Sequence, residues 1–228
     1  MAKFPSIYLI SQENENDDWL LKKVEASLKA GLLMVQYRQK KLSKKKALLQ
    51  AHKLRNLTEK YGAKLIINDD TQLALQVRAD GVHLGQLDEP IEKVIAKIRI
   101  QRQKLLIGIS CYNQIERVRT MLGKPEVDLV SIGAIFPSKT KPNAKRADLE
   151  FIAQTLTLKA QLKINKPIYA IGGIDSQNVH KLNNIQLPKA NSSQKLSGIC
   201  VSSDLFAGSD TDIQNKVKLF KQTLQTNP

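Results

Sequence analysis

Residues 128–141 read Asp128-Leu-Val-Ser-Ile-Gly-Ala-Ile-Phe-Pro-Ser-Lys-Thr-Lys141, an apolar run that passes directly into a loop of hydroxyl and ammonium groups. Apolar residues without polar alternation are typical of a parallel strand that helices cover on both faces. Hydroxyl and ammonium groups at the end of such a strand are suited to binding phosphate oxygens. We therefore predict a buried strand that ends in a phosphate-binding loop with Ser138, Lys139, Thr140 and Lys141. Taken alone, the loop could equally be a solvated turn that carries lysines.

Seven other short β-rich runs repeat this pattern along the chain. These seven runs are 6–10, 33–37, 64–67, 81–84, 105–109, 167–171 and 198–201, and the eighth is residues 129–132 of the stretch quoted above. Amphipathic segments of helical period separate the eight runs. Eight such units predict an α/β fold, a single (β/α)8 TIM barrel. An open doubly wound sheet is less favoured because it would want a glycine-rich turn after its first strand, and Ser11-Gln-Glu-Asn-Glu15 has no glycine.

Length and composition fit one barrel domain over residues 1–228. The polar segment 186–197 lacks an apolar period and predicts a surface loop inserted before the last strand. No apolar run approaches the roughly 20 residues of a membrane span, so we expect a cytoplasmic protein without membrane contact. Cys111 and Cys200 belong to no Cys-x-x-Cys pair, which argues against a zinc site.

The net charge of +15 would attract any polyanion. A basic polyanion-binding protein is therefore an alternative from another functional class. The densest lysine cluster, Lys40 to Lys46, opens a segment with apolar residues at helical spacing, and such clusters are mostly solvated helix faces. Nucleic acid is an unlikely partner because the chain has no RNA-binding signature with interleaved aromatics and no zinc-finger spacing. The sequence leaves the oligomeric state open.

Polar residues cluster where the second, third and fourth predicted strands end. They are Gln36, Arg38 and Lys40, then Asn68, Asp69 and Asp70, then His83, Gln86 and Asp88. Barrel active sites are built at the carboxyl ends of the strands, so we expect these groups to converge at one mouth.

Each of these groups has a chemical role to which it is suited. Arg38 and Lys40 can clamp a diphosphate, and Asp69 and Asp88 supply the hard oxygen ligands that Mg²⁺ prefers. Asp70 is predicted to cap the following helix, and a hydrogen-bonded structural role is favoured for His83.

Two further elements near the end of the chain suit an anion. Gly172-Gly173 follows the seventh predicted strand, and Ser202-Ser203 follows the eighth. A glycine turn lets backbone amides approach an anion, and phosphate sites recur after strands 7 and 8 of barrels.

Six segments in order resemble the motifs of the thiamine phosphate synthase family. They are Gln36-Tyr-Arg-Gln-Lys40, Ile67-Asn-Asp69, Asp80-Gly-Val-His-Leu-Gly-Gln-Leu-Asp88, Ile107-Gly-Ile-Ser110, Ile132-Gly-Ala-Ile-Phe-Pro-Ser-Lys-Thr-Lys141 and Ala170-Ile-Gly-Gly-Ile174. The resemblance spans nearly the whole chain. It implies a cytoplasmic, Mg²⁺-dependent transferase that joins hydroxymethylpyrimidine diphosphate to thiazole phosphate and gives thiamine phosphate and pyrophosphate.

The resemblance also implies roles for individual residues. The pyrimidine diphosphate would be held by Gln36, Arg38, Lys40, Asn68 and Lys141, with Ser110 beside its ring. The thiazole phosphate would be surrounded by Ser138, Thr140, Gly173, Val201 and Ser202. Tyr37, Gln39 and Lys139 would be further substrate-binding residues. Asp69 and Asp88 would be the Mg²⁺ ligands, and Lys141, Arg38 and Ser110 the catalytic residues.

The two most serious of the departures from the family pattern lie near the end of the chain. The segment 186–197 is an insertion, and Asp204-Leu-Phe stands where small apolar residues usually follow the final serine. The alternatives within the same fold are a relative that tautomerises thiazole phosphate and an inactive regulatory relative.

Overall fold

The computed structural model describes residues 4–138, 145–189 and 193–225. Within them the strands are all parallel and pair in chain order, and β1 also pairs with β8, so the sheet closes into a barrel. The strands are β1 Ile7–Ile10, β2 Met34–Tyr37, β3 Lys64–Asn68, β4 Gly81–Leu84, β5 Leu106–Tyr112, β6 Leu129–Gly133, β7 Ile168–Ile171 and β8 Gly198–Val201. The predicted (β/α)8 fold is confirmed.

Helices follow the strands on the outside of the barrel. They are α1 Asp17–Lys29, α2 Lys44–Lys60, α3 Thr71–Gln76, α4 Ile91–Ile100, α5 Ile115–Gly123, α6 Leu149–Gln161, α7 Ser203–Phe206 and α8 Asp210–Gln225. Side chains cap several helix starts by accepting a hydrogen bond from a free backbone N–H. Asp70 caps α3 in this way by accepting from Leu73 N, as predicted.

Strand side chains fall into two layers because successive residues of a strand point to opposite faces. The layer inside the barrel consists of Tyr8, Ile10, Met34, Ile66, Leu129, Tyr169 and Cys200. The larger layer lies between the strands and the helices and includes Leu9, Val35 and Leu65. The inner layer fills the barrel below its mouth, so the barrel is not an open pore, and we expect its active site at the carboxyl ends of the strands.

The observed elements differ from the predicted ones in two places. β5 runs to Tyr112 rather than ending at residue 109, and its pairing with β6 shifts register between Ser110 and Tyr112. Ser110 therefore belongs to a strand and not to a loop. The connection from β7 to β8 holds a 3₁₀ helix, Val179–Asn184, where the repeating pattern predicted an amphipathic helix. Its sequence ends in two asparagines, which compete for backbone hydrogen bonds and disfavour a longer helix.

Some predicted residues lie outside the part of the chain that is described. Lys139, Thr140 and Lys141 of the predicted phosphate-binding loop are among them, as are residues 190–192 of the predicted insertion. Among the described residues, no helix is long and apolar enough to cross a membrane.

Candidate active site

A cavity of about 880 Å³ opens at the carboxyl ends of the strands. Its lining includes residues from all eight strands or the segments that follow them. Of the residues predicted from sequence, the cavity brings together Gln36, Arg38, Asn68, Ser110, Ser138, Gly173 and Ser202. The cavity is therefore at the mouth where the sequence predicted convergence.

Arg38 follows β2 and enters this cavity beside a carboxylate that sequence reasoning missed. Its backbone N–H donates to Ser11 Oγ at 2.9 Å, and its guanidinium Nη1 donates to Glu13 Oε1. Both side chains of this ion pair are largely buried, at 19% and 17% exposure. Glu13 holds the guanidinium in place, and the remaining N–H groups of Arg38 stay available for an anion. The only sequence signal for Glu13 was its place in the loop after β1.

The predicted metal ligands lie at the ends of β3 and β4. Asp69 Oδ2 pairs with Lys40 Nζ at 2.8 Å, and Asp88 Oδ2 accepts from Gly85 N at 2.6 Å. Burial, followed by the hydrogen bond and the charge of Asp69, raises the pKa of Asp88 above its ordinary value. Asp69 itself has a left-handed backbone with φ of 64°, and its side chain is hydrogen-bonded to that of Asp88. The two carboxyl groups are therefore neighbours although they are far apart in sequence.

This pair of carboxyl groups fits a Mg²⁺ ion. Two carboxylates in contact repel each other when both are ionised, and a cation removes that repulsion. No group of three or more His, Cys, Asp or Glu side chains that could hold a metal occurs in residues 4–138, 145–189 and 193–225. The two carboxyl groups of Asp69 and Asp88 match Mg²⁺, which commonly binds through one or two carboxylates, waters and substrate phosphate.

A polar cluster lies at the centre of the mouth. His83 Nε2 is 3.1 Å from Ser110 Oγ and 3.1 Å from Ser131 Oγ, and all three residues line the cavity. His83 is only 4% exposed. The hydrogen-bonded histidine that the sequence favoured is observed, and it supports the predicted residue Ser110. Ser131 was missed because it lies within an apolar strand run, where serine carries no distinct signal.

Gln36 lies deeper, on β2. Its Nε2 donates to Tyr8 Oη at 2.8 Å, and both side chains are buried. Burial raises the pKa of Tyr8 well above its ordinary value, so this phenol is neutral at physiological pH. Because the amide nitrogen of Gln36 is directed to Tyr8, its Oε1 can accept a hydrogen bond from a ligand in the cavity.

Two residues of the same predicted motif turn away from the cavity. Tyr37 Oη donates to Gln50 Oε1 at 2.8 Å, under α2. Gln39 Nε2 donates to the carbonyl oxygen of Asn14 at 3.2 Å. These side chains hold the loops after β1 and β2 together, and neither lines the cavity.

The loops after β7 and β8 form a second polar surface of the cavity, the glycine–serine cup, which consists of Gly172, Gly173, Ser202 and Ser203. All four residues line the cavity. Gly173 has a φ of 63°, and a Cβ at this position would lie 2.2 Å from the carbonyl oxygen of Pro137. Only glycine therefore lets the loop after β7 approach the loop after β6 so closely. Val201, predicted beside Ser202, is 1% exposed at the end of β8.

Comparisons with known proteins identify the family and support the fold. A family model described as thiamine monophosphate synthase matches residues 7–205. A thiamine-phosphate synthase of Fusobacterium nucleatum is 35% identical over 218 residues, which make up 94% of this chain and 96% of that protein. Among solved structures, thiamine phosphate pyrophosphorylase from Pyrococcus furiosus has a TM-score of 0.76 and 25% identity, and the match covers 96% of this chain and 95% of that one.

One relative is considerably longer than this chain. A thiamine-phosphate synthase of Nostoc punctiforme is 40% identical over 174 residues, which are 76% of this chain and 46% of that protein. The chain thus corresponds to less than half the length of that relative.

Proposed function

This chain belongs to the thiamine monophosphate synthase family, and we propose that it joins hydroxymethylpyrimidine diphosphate to thiazole phosphate, giving thiamine phosphate and pyrophosphate. One observation carries the proposal. A single cavity has two polar ends that are suited to anions, with Arg38 and Asn68 at one end and the glycine–serine cup at the other. β3 and β7 are four strands apart in a closed eight-stranded barrel, so the two ends face each other across the mouth. This arrangement suits two phosphorylated substrates that meet in the middle.

The diphosphate end stabilises the leaving group. Arg38, Lys40 and Asn68 supply N–H donors to the diphosphate oxygens, and charged donors are strong hydrogen-bond partners for phosphate. Mg²⁺ held by Asp69 and Asp88 would neutralise the charge that develops on departing pyrophosphate. Lys141 has the same proposed role and lies outside the described residues.

The middle of the cavity would hold the pyrimidine ring. Gln36 Oε1 accepts a hydrogen bond from the exocyclic amino group, and Ser110, supported by His83, lies beside the ring. The bond from the methylene carbon to the diphosphate oxygen breaks, and its electron pair leaves with pyrophosphate. The electron-rich aminopyrimidine stabilises the resulting cation, so the chemistry requires no strong base.

The glycine–serine cup would hold the second substrate. Backbone amides of the glycine turn and the hydroxyl of Ser202 bind the phosphate of the thiazole, with Ser138 beside them. The thiazole nitrogen then donates its lone pair to the methylene carbon and forms the new C–N bond. The contribution of the protein to this step is to hold the two rings in line and within reach.

The test is product formation from the two purified substrates at about 0.15 M salt, with and without Mg²⁺. We expect thiamine phosphate and pyrophosphate in equal amounts, with turnover that requires both substrates and Mg²⁺. A protein that binds polyanions nonspecifically would lose affinity at this salt concentration and would form no product. Isomerisation of thiazole phosphate alone, without coupling, would instead identify a tautomerase and overturn the proposal.

A further inference from the structure

The loops around the glycine–serine cup are joined to one another in different ways. The loop after β6 is joined to the loop after β7 by backbone hydrogen bonds, Ile135 N to Ile171 O at 3.0 Å and Phe136 N to Gly172 O at 2.9 Å. The loop after β7 is joined to the loop after β8 by a side chain, because Ser176 N donates to Asp204 Oδ2 at 2.9 Å. β7 and β8 are paired up to Ile171 and Cys200, and beyond that point this carboxylate is a further link between the two sides of the cup.

That carboxylate is itself held from behind. Lys216 Nζ, on α8, lies 3.0 Å from Asp204 Oδ1. The same ammonium donates to the carbonyl oxygens of Asp204 at 2.7 Å and Ala207 at 3.4 Å. An ammonium group has three N–H donors, and here three acceptors in α7 and at its C-cap match them. Lys216 thus fixes both the backbone and the side chain of Asp204.

The hydrogen-bond and ion-pair partners of Asp204 explain how a carboxylate can lie so close to a site proposed for a phosphate. A free carboxylate beside the cup would repel a phosphate dianion and weaken binding. Both carboxylate oxygens are instead engaged, one by Ser176 N and one by Lys216 Nζ, and the Asp204 side chain is only 15% exposed. Lys216 balances the negative charge of Asp204, so this carboxylate acts as a brace, meaning that it holds the loops after β7 and β8 in position and is not a ligand of the phosphate.

We propose that Asp204 and Lys216 are positioning residues for the second substrate, and that their ion pair sets the width of the glycine–serine cup. This inference rests on the proposed function, since it assigns the cup to thiazole phosphate. It gives a role to Asp204, which stands where the family pattern has a small apolar residue. The diphosphate end follows β2 and β3, and among the described residues no hydrogen bond or ion pair joins Arg38 or Lys40 to Asp204 or Lys216, so we expect the effect of the brace to be confined to one substrate.

The test compares Asp204→Ala, Asp204→Asn and Lys216→Met with the unaltered protein. We expect Asp204→Ala to raise the KM for thiazole phosphate and its calorimetric Kd by about tenfold or more, because small displacements of a binding group are costly. The KM for the pyrimidine diphosphate should stay within about twofold. Asp204→Asn keeps an acceptor for Ser176 N and should lose less affinity than Asp204→Ala. Lys218→Met is the matched control, because Lys218 is an exposed lysine on the same helix.

The outcomes distinguish a failure of the Asp204–Lys216 proposal from a failure of the proposed function. If the unaltered protein forms no thiamine phosphate, the proposed function fails. If it forms product and the variants leave both KM values unchanged, or raise both equally, the proposal that Asp204 and Lys216 position the second substrate is wrong. If Asp204→Ala does not fold, Asp204→Asn and Lys216→Met provide the same comparison, with thermal unfolding to verify that each is folded.

Discussion

Asp69 and Asp70 are adjacent carboxylates with different structural tasks. Asp69 has the left-handed backbone and contacts Lys40 in the mouth, whereas Asp70 accepts a hydrogen bond from Leu73 N and caps α3. The two side chains therefore form a natural matched pair for testing the metal site.

We predict that Asp69→Asn and Asp88→Asn each lower kcat by about 100-fold or more and raise the Mg²⁺ concentration needed for half-maximal rate. Asparagine tolerates the backbone of Asp69 and removes only the charge. Asp70→Asn should leave the rate nearly unchanged, because asparagine caps helices as well as aspartate does. The measurement is the steady-state rate of each variant over a range of Mg²⁺ concentrations. Metal-independent turnover, or an equal loss in Asp70→Asn, would refute the assignment of Asp69 and Asp88.

At the scale of elements, the connection from β7 to β8 and the loop that follows β8 lie at opposite ends of the barrel. The 3₁₀ helix ends at Asn184, and β8 begins at Gly198. Because β8 is parallel to its neighbours, the segment before it reaches the face opposite the mouth. Ser197 is tied to β7 by a hydrogen bond from its backbone N–H to the carbonyl oxygen of Ile168. The segment 186–197 remains a predicted insertion, and residues 190–192 lie outside the described part of the chain.

We predict that a short Gly-Ser linker in place of residues 189–195 leaves kcat/KM for both substrates within about twofold. The replacement spares buried Leu196 and the Ser197 hydrogen bond, and barrel chemistry takes place at the other face. The measurement is steady-state kinetics on a variant that unfolds cooperatively. A tenfold loss, about 1.4 kcal/mol of transition-state stabilisation, would mean that the segment helps to shape the site.

Over the whole molecule, the barrel combines a dry interior with a polar mouth. Cys200 is in the inner layer, and Cys111 is in the layer between strands and helices. Burial raises the pKa of Cys111 to about 12 and raises that of Cys200 further above its ordinary range. A thiol with a raised pKa stays protonated up to higher pH values, and the protonated form is a poor nucleophile.

We predict that neither thiol reacts with a chromogenic disulfide reagent at about pH 8 in the folded protein. Both of the two cysteines should react once the chain is unfolded in denaturant, because their pKa values then return to the ordinary range. The absorbance of the released product counts the thiols. Rapid labelling of one thiol in the folded protein would show that the barrel opens more readily than its packing indicates.

The sequence by itself determined the fold, the family and several of the groups at the mouth. Eight apolar runs separated by helical segments are a local pattern, and local patterns are readable without coordinates. The match over residues 7–205 confirms the family resemblance, which rested on motifs at strand ends. The helix cap at Asp70 was predictable for the same reason, since a cap depends on residues only three positions apart.

Only the tertiary structure decided which side chains meet. The ion pair of Glu13 with Arg38, the hydrogen bond of Tyr8 to Gln36 and the contacts of Asp204 with Ser176 and Lys216 join groups that are 12 to 28 residues apart. A residue that acts through a distant partner has no local pattern, and its type alone suggests a solvated surface charge. Barrel closure converts these separate positions into neighbours, because it brings the ends of all the strands to a single mouth.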